Sequence, residues 1–340
     1  MLTAADPTSS VPDLACTAMS TGARTLDVDH ELEAHRRELT GYCYRMLGSG
    51  FEAEDAVQET FVRAWRASAS FEGRSSVRSW LYRIATNVCV DMLRAPQRRA
   101  RPMDLGPSST VATAVLDPQA EHMWVQPVQD RQVIATDGDP AEVAAARESI
   151  RLAFVAALQH LPPKQRAALI LCEVLKWQAA EAAELLESTV ASVNSALQRA
   201  RATLVSLEAD ALDTTADPDH QALLERYVDA FERYDMDALV SLLHHDAVIS
   251  MPPFDLWLQG ADQVIGWMAG PGIGCAGSKL IPVEVNGTAG FASYKPGPSG
   301  RLEPWAVQVI EVRGARITGH HNFIYPELFA AFGLPASLDA

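Results

Sequence analysis

Between Glu72 and Arg101 the chain carries seven arginines, Arg74, Arg78, Arg83, Arg94, Arg98, Arg99 and Arg101, against only Glu72 and Asp91. Phe71, Trp80 and Tyr82 are interleaved with them. Guanidinium groups neutralise phosphate and aromatic faces stack on unpaired bases, so this composition suits contact with nucleic acid. It equally suits a solvated helix face over a core tryptophan. A second set follows at Thr189, Ser192, Asn194, Ser195, Gln198, Arg199 and Arg201. With Val190, Val193, Leu197 and Leu204 facing inward, these polar side chains supply the surface, and Asn and Gln can bond adenine in pairs. A third set, Asp55, Gln58 and Glu59, lies off the face marked by Val57, Phe61 and Trp65. The four-residue spacing of that apolar face places Trp65 in the core.

The elements that must carry these groups follow from periodicity and punctuation. Residues 1–28 read as a loose tail. Helical patterning begins at Asp29, and Gly48 and Gly50 interrupt it. A helix over 77–93 has Trp80, Leu81, Ile84, Val88 and Leu93 as its apolar stripe. Residues 102–141 hold five prolines, Pro102, Pro107, Pro118, Pro127 and Pro140, and read as a long acidic linker. Helices resume at Pro140. Within 142–205, runs over 177–186 and 190–204 flank the polar turn Glu187-Ser188-Thr189, which suggests a helix-turn-helix. Residues 206–216 form an acidic hinge. After it come two amphipathic helices over 219–243 and strand-like runs at 247–251, 279–285, 289–294, 305–312 and 317–325. The expectation is a multidomain chain, two all-α modules followed by an α+β domain, mainly antiparallel.

A length of 340 residues fits two or three domains. The net charge of −15 seems to argue against nucleic acid, but it is unevenly distributed. Residues 31–101 carry +3, whereas residues 206–340 carry −11. Screening confines a charge to its neighbourhood, about 8 Å at physiological salt, so the local sign decides. No stretch reaches the roughly 18 apolar residues of a membrane helix. The first residues lack a signal peptide's basic start and apolar core. Five scattered cysteines, never in CxxC spacing, argue for a reducing cytoplasm and against a cysteine-rich zinc site.

Three of these segments carry motifs of one family. Ala53-Glu54-Asp55-Ala56-Val57-Gln58-Glu59-Thr60-Phe61 with Trp65 resembles the polymerase-binding helix of bacterial sigma factors of the extracytoplasmic-function (ECF) group. Phe71-Glu72-Gly73 and Ser79 through Asn87 resemble that group's promoter-melting segment. Leu161 to Arg166 and Val190 to Arg201 resemble its second DNA-binding module. The resemblance implies two sigma modules over 29–101 and 142–205, with core RNA polymerase and promoter DNA as partners. Asp55, Gln58 and Glu59 would meet the polymerase. Arg74, Ser75, Ser76, Arg78, Arg83 and Asn87 would lie near the melted −10 element. Thr189, Ser192, Asn194, Ser195, Gln198 and Arg199 would read the −35 element. The recognition helix departs from relatives, with Asn194 and Ala196 where basic residues are frequent, so base preference does not carry over. The acidic linker would pass near the polymerase active-site channel.

The residues over 217–340 resemble the SnoaL-like, nuclear-transport-factor-two-like cone, through their element order, Phe231 to Asp235, and Gly319-His320-His321. Met251, Trp257, Trp267, Trp305, His321 and Phe323 are the candidate pocket. An isomerase or cyclase would need a carboxylate or histidine there, from among Asp246, Asp255, His244, His245, His320 and His321. Adjacent histidines on a strand point to opposite faces, so at most one of each pair lines a pocket and the other is surface. A regulatory domain without catalysis, cofactor or metal is the favoured reading, with a small ligand or an anti-sigma protein as further partners. Its negative charge could cover the basic face over 72–101. The alternatives are a catalytic C-terminal domain and a helix-turn-helix repressor that never joins polymerase.

Overall fold

The computed structural model describes residues 28–71, 73, 75–94, 99–135, 137–205 and 218–339. The expected tail up to residue 27, the hinge, Arg74 and Arg98 lie outside them. The first module packs α1 (Val28–Ala34), α2 (Arg36–Leu47), α3 (Gly50–Ala67) and α4 (Val77–Met92). Gly48 ends α2 in the left-handed region, its N–H on the Tyr44 carbonyl at 2.7 Å, and Ser49 caps α3 by accepting from Glu52 N. One break of two residues therefore turns α2 into α3, made by Gly48 as expected, whereas Gly50 does not interrupt and is the first residue of α3. Ser76 caps α4, which buries Leu81, Tyr82, Ala85, Thr86, Val88 and Cys89. Phe71 covers half-buried Trp80, ring centroids 4.7 Å apart.

The linker contains the short helix α5 (Asp130–Val133), which lies against α2. Gly41 permits that approach, because a Cβ there would strike the Val133 carbonyl. The second module follows as α6 (Pro140–Glu148), α7 (Leu152–Leu158), α8 (Pro163–Leu169) with a π-helical turn over 170–174, α9 (Ala179–Leu185) and α10 (Val190–Val205). Buried Arg166 ties it to the first module by donating to the Met46 carbonyl and to Gln159.

The C-terminal domain is α11 (Pro218–Glu232), α12 (Met236–Leu242), β1 (Leu243–Ser250), β2 (Trp257–Gln259), α13 (Ala261–Ala269), β3 (Lys279–Val285), β4 (Thr288–Pro296), β5 (Leu302–Arg313), β6 (Arg316–Phe323) and α14 (Glu327–Ala331). Its six-stranded sheet has the order β2-β1-β6-β5-β4-β3. Within this sheet β1 and β6 pair in parallel, and its other neighbouring strands pair antiparallel. Strand β2 escaped the sequence because three residues give too little alternation to see.

Each face of this sheet has its own core. On one side Tyr227, Phe231, Leu239, Val264 and Trp267 from the helices meet Phe291, Ile310 and Ile317. On the other, Val285, Ala292, Tyr294, Val307, Val309 and Phe323 join the hydrophobic cluster of the two helical modules. The sheet is thus buried on both faces, and the three parts of the chain share a core.

The linker is held along this domain. Ser109 N donates to the Trp257 carbonyl at 2.9 Å, Trp257 Nε1 to the Gly106 carbonyl at 3.0 Å, and Gln119 N to the Pro253 carbonyl at 2.9 Å. Ser109 bridges to Leu258, so the linker extends the exposed edge of β2.

Candidate nucleic-acid interface

Helix α3 buries Ala53, Ala56, Val57, Thr60 and Ala64 and turns Asp55, Gln58 and Val62 to solvent. Glu59 is half-buried and accepts from Arg63 Nε at 2.7 Å. Trp65 corrects the sequence reading: it is 62% exposed, not in the core. The four-residue spacing drifts about 40° per step on a helix of 3.6 residues per turn, carrying the stripe from buried Val57 through half-buried Phe61 to the surface. Asp55, Gln58, Val62 and Trp65 share one exposed face instead. Beside it, Leu32, Glu33, Phe61, Val62, Trp65 and Arg66 line a shallow groove of about 390 Å³.

On α4, Ser76 and Asn87 are exposed, while Ser75, Arg78 and Arg83 are half-buried. The cover over the arginines is the second module. Trp177, at the entry to α9, packs against Tyr82 with ring centroids 5.1 Å apart and planes tilted by 57°. The Arg78 guanidinium lies 5.2 Å from both rings and donates to Glu38 at 2.8 Å. Arg83 pairs with Glu184 of α9 at 3.6 Å. The idea that the acidic C-terminal domain covers this face is therefore corrected for Arg78 and Arg83, which Trp177 and α9 cover. Arg99 is also diverted, since it is buried and bonded to the Trp124 carbonyl and paired with Glu52.

The turn between α9 and α10 places Glu187 in the left-handed region at φ 49°. Thr189 Oγ1 then accepts from Ser192 N at 3.1 Å and caps α10. Val193, Leu197 and Ala200 are buried. Thr189, Ser192, Asn194, Ser195, Gln198 and Arg199 are all exposed, the last five along one helix. This face stands open, whereas the α4 face is covered.

The candidate pocket of the C-terminal domain does not assemble. Met251 and Trp267 are in the core between helices and sheet, with Trp305 packed against it. Half-buried Trp257 holds the linker. His321 and Phe323 are on the opposite face, because alternation along β6 puts them with Val309 and Val307. Asp246 and Asp255 are exposed. His320 and His321 do point to opposite faces, but neither is surface, since both faces are covered.

His320 Nε2 lies 3.1 Å from the Tyr227 hydroxyl, which donates to Gln308 Oε1 at 3.0 Å. Burial, and then the neighbouring His321, push its pKa down to about 3. Tyr227 and Phe231 pack edge-on against it, and Phe291 packs on Tyr227. On the other face, His321 Nδ1 is 2.8 Å from Ser250 Oγ and its Nε2 is 3.5 Å from Glu311. Burial raises the Glu311 pKa, but His321, Arg101 and Arg151 outweigh it and leave the carboxyl below the usual range. Glu311 and His321 line a cleft of about 2370 Å³ shared by all three parts of the chain.

His244 and His245 depart from strand alternation. A register shift between Leu243 and Val248 brings their rings to 4.1 Å, with Asp246 2.9 Å from His245. Donor atoms of the three lie within 4.8 Å of one another, with His244 half-buried and the other two exposed, a trio that could gather round a cation. The sequence reading gave no such cluster, because spacing alone put the two rings on opposite faces.

Comparison with known proteins follows the same division. Residues 32–99 match Sigma-70 region 2, residues 151–204 match Sigma-70 region 4, and residues 224–320 match the SnoaL-like domain. The chain is 42% identical over 317 residues to the ECF RNA polymerase sigma factor SigG of Mycobacterium tuberculosis, covering 92% of this chain and 85% of that one. It is 27% identical over 311 residues to SigJ of the same species, covering 88% and 92%. The crystal structure of SigJ superposes over 91% of this chain and 99% of its own, with a TM-score of 0.59 and 26% identity.

Proposed function

The chain belongs to the ECF RNA polymerase sigma factors, with a SnoaL-like domain at its C-terminal end, and from that premise we propose how its surfaces divide the work of transcription initiation. The α3 face bearing Asp55, Gln58 and Trp65 docks on core RNA polymerase, with Glu59 at its margin. The α4 face, with Ser75, Ser76, Arg78, Arg83 and Asn87, holds the melted −10 strand, and Arg74 joins it by sequence. The α10 face reads the −35 element. Acting on polymerase places the protein in the cytoplasm. No helix of the described residues is long and apolar enough to cross a membrane.

The observation that carries this reading is the contrast between the two DNA faces. The −10 and −35 elements are, by their names, roughly 25 base pairs apart, about 85 Å of duplex. Here the two modules touch through Tyr82 and Trp177. A factor spanning both elements has to part them. The packed form is a closed state, and DNA or polymerase selects the open one. The C-terminal domain acts as a regulator of that equilibrium, not as an enzyme. A histidine kept neutral by burial and packed against two aromatic side chains is poorly suited to acid–base work near neutral pH.

In vitro transcription with core polymerase over a genomic promoter library tests this, comparing the full chain with one ending at Leu204. Discrete start sites from both are expected, more abundant from the shorter chain. DNA binding without transcripts would point to a repressor, and no polymerase binding would sink the assignment.

A further inference from the structure

The β3–β4 hairpin turns on Asn286-Gly287, both in the left-handed region at φ 52° and 69°. Asn-Gly is the pair such a two-residue turn favours. The tip is driven into a socket between the sigma modules. Asn286 is fully buried, and its carboxamide and its backbone N–H have their partners outside its own domain. Its Nδ2 donates to the Tyr44 hydroxyl at 2.6 Å and to the Ile150 carbonyl at 2.7 Å. Its Oδ1 accepts from Val128 N at 3.0 Å, and its own N–H donates to the Val128 carbonyl at 3.0 Å. One side chain thus bonds the first module, the linker and the second module. The fit is close, for a Cβ on Gly287 would strike the Arg147 carbonyl.

A hairpin needs none of these bonds to form its own turn. We propose that Asn286 is a positioning residue that sets the spacing of the two DNA-contacting modules, holding α4 against α9. A carboxamide is suited to this, since it offers an acceptor and two donors on a short stem. Removing it leaves the Val128 N–H and the Ile150 carbonyl buried without partners in the packed form only, because water satisfies them once the modules part. The loss therefore acts on the closed state and leaves the open one alone. The inference deepens the sigma reading but depends on it only for the DNA measurement.

Three variants of the full chain separate this role from that of a turn residue. Asn286→Gly keeps the left-handed backbone and the bond to the Val128 carbonyl while deleting the side chain. Asn286→Asp keeps the acceptor and loses both donors. Tyr44→Phe removes one partner from the sigma side. Hydrogen exchange is read over α4, α9 and β5. The first two variants are expected to speed exchange over α4 and α9 by at least about tenfold, with β5 unchanged, and Tyr44→Phe by less. Their affinity for the single-stranded −10 segment of a mapped promoter should rise in the same order. Wild-type exchange over α4 and α9 in both Asn286 variants would overturn the proposal. So would loss of protection in β5 as well, since the residue would then be holding its own domain. Failure of the wild-type chain to support transcription, with the exchange result intact, would sink the sigma reading and leave this one standing.

Discussion

Glu184 of α9 stands 3.6 Å from Arg83 of α4, a carboxylate in the position where the proposed function puts a promoter phosphate. Trp177 likewise lies on Tyr82 and Arg78, where an unpaired base would stack. The second module therefore offers the first an acidic and an aromatic group in place of nucleic acid. Glu184→Gln should release Arg83 without harming either fold, since the Glu184 side chain is 72% exposed. Exposed pairs contribute about 0–1 kcal/mol, so binding of a −10 single strand should tighten by no more than about fivefold. Fluorescence anisotropy measures it, and weaker binding would show that Glu184 does not compete.

Trp65 is exposed on the same face as Asp55 and Gln58. Trp65→Ala should leave the melting temperature within about 1 °C, because little buried area is lost. Its affinity for core polymerase should fall at least about tenfold if the ring fills a pocket on the partner. A pull-down titration decides. A drop in melting temperature with polymerase binding intact would return Trp65 to the structural role its spacing first suggested.

How much of this was visible beforehand depends on the range of the signal. Helices α4 and α10 and their exposed residues follow from local periodicity, and Thr189 and Ser192 were readable as a polar surface, though not Thr189 as the cap of α10. The location of Trp65 failed because a stripe of strict four-residue period rotates off the core within two steps. His320 and His321 were separated correctly by strand alternation. That both are buried depends on the helical modules covering the second face of the sheet, which no local pattern records. Asn286-Gly287 reads as a hairpin turn at most. Its partners, Tyr44, Val128 and Ile150, are between 136 and 242 residues away, and only the packed chain brings them together.

Asp130 lies under the same hairpin, 1% exposed, accepting from Gly287 N at 2.9 Å with Arg147 3.7 Å away. Burial raises its pKa to about 6, against the backbone bond and Arg147, while Glu284 adds to the rise. A carboxyl whose pKa is raised in the packed state favours that state when protonated. The contribution is complete below the ordinary value near 4 and is lost as pH rises through about 6. Asp104 and Glu311, whose pKa values are lowered, work in the opposite sense and lose their contribution on acidification. Asp130→Asn isolates the first effect and keeps the acceptor for Gly287. Relative to wild type it should be more stable at pH 7.5, by on the order of 2 kcal/mol, with the gap closing towards pH 4.5. Denaturant titrations at a series of pH values would show it, and a gap independent of pH would contradict it.

The open face of α10 permits a sharper test of the −35 assignment. Asn194 and Gln198 are exposed four residues apart, each next in sequence to a buried residue, Val193 and Leu197. Paired bonds from such amides to adenine are worth about 1–3 kcal/mol of discrimination each. Asn194→Ala or Gln198→Ala should therefore relax base preference at one position of a selected site, leaving the salt dependence of binding unchanged. Arg199→Ala should weaken binding across all sequences and reduce the salt slope by about one phosphate's share. Arg201 already pairs with Glu173, so Arg201→Ala should change both measures less. Selection from a randomised −35 library at two salt concentrations separates the four variants. If Asn194→Ala and Arg199→Ala behave alike, α10 follows the backbone without reading the bases, and specificity resides in the α4 face.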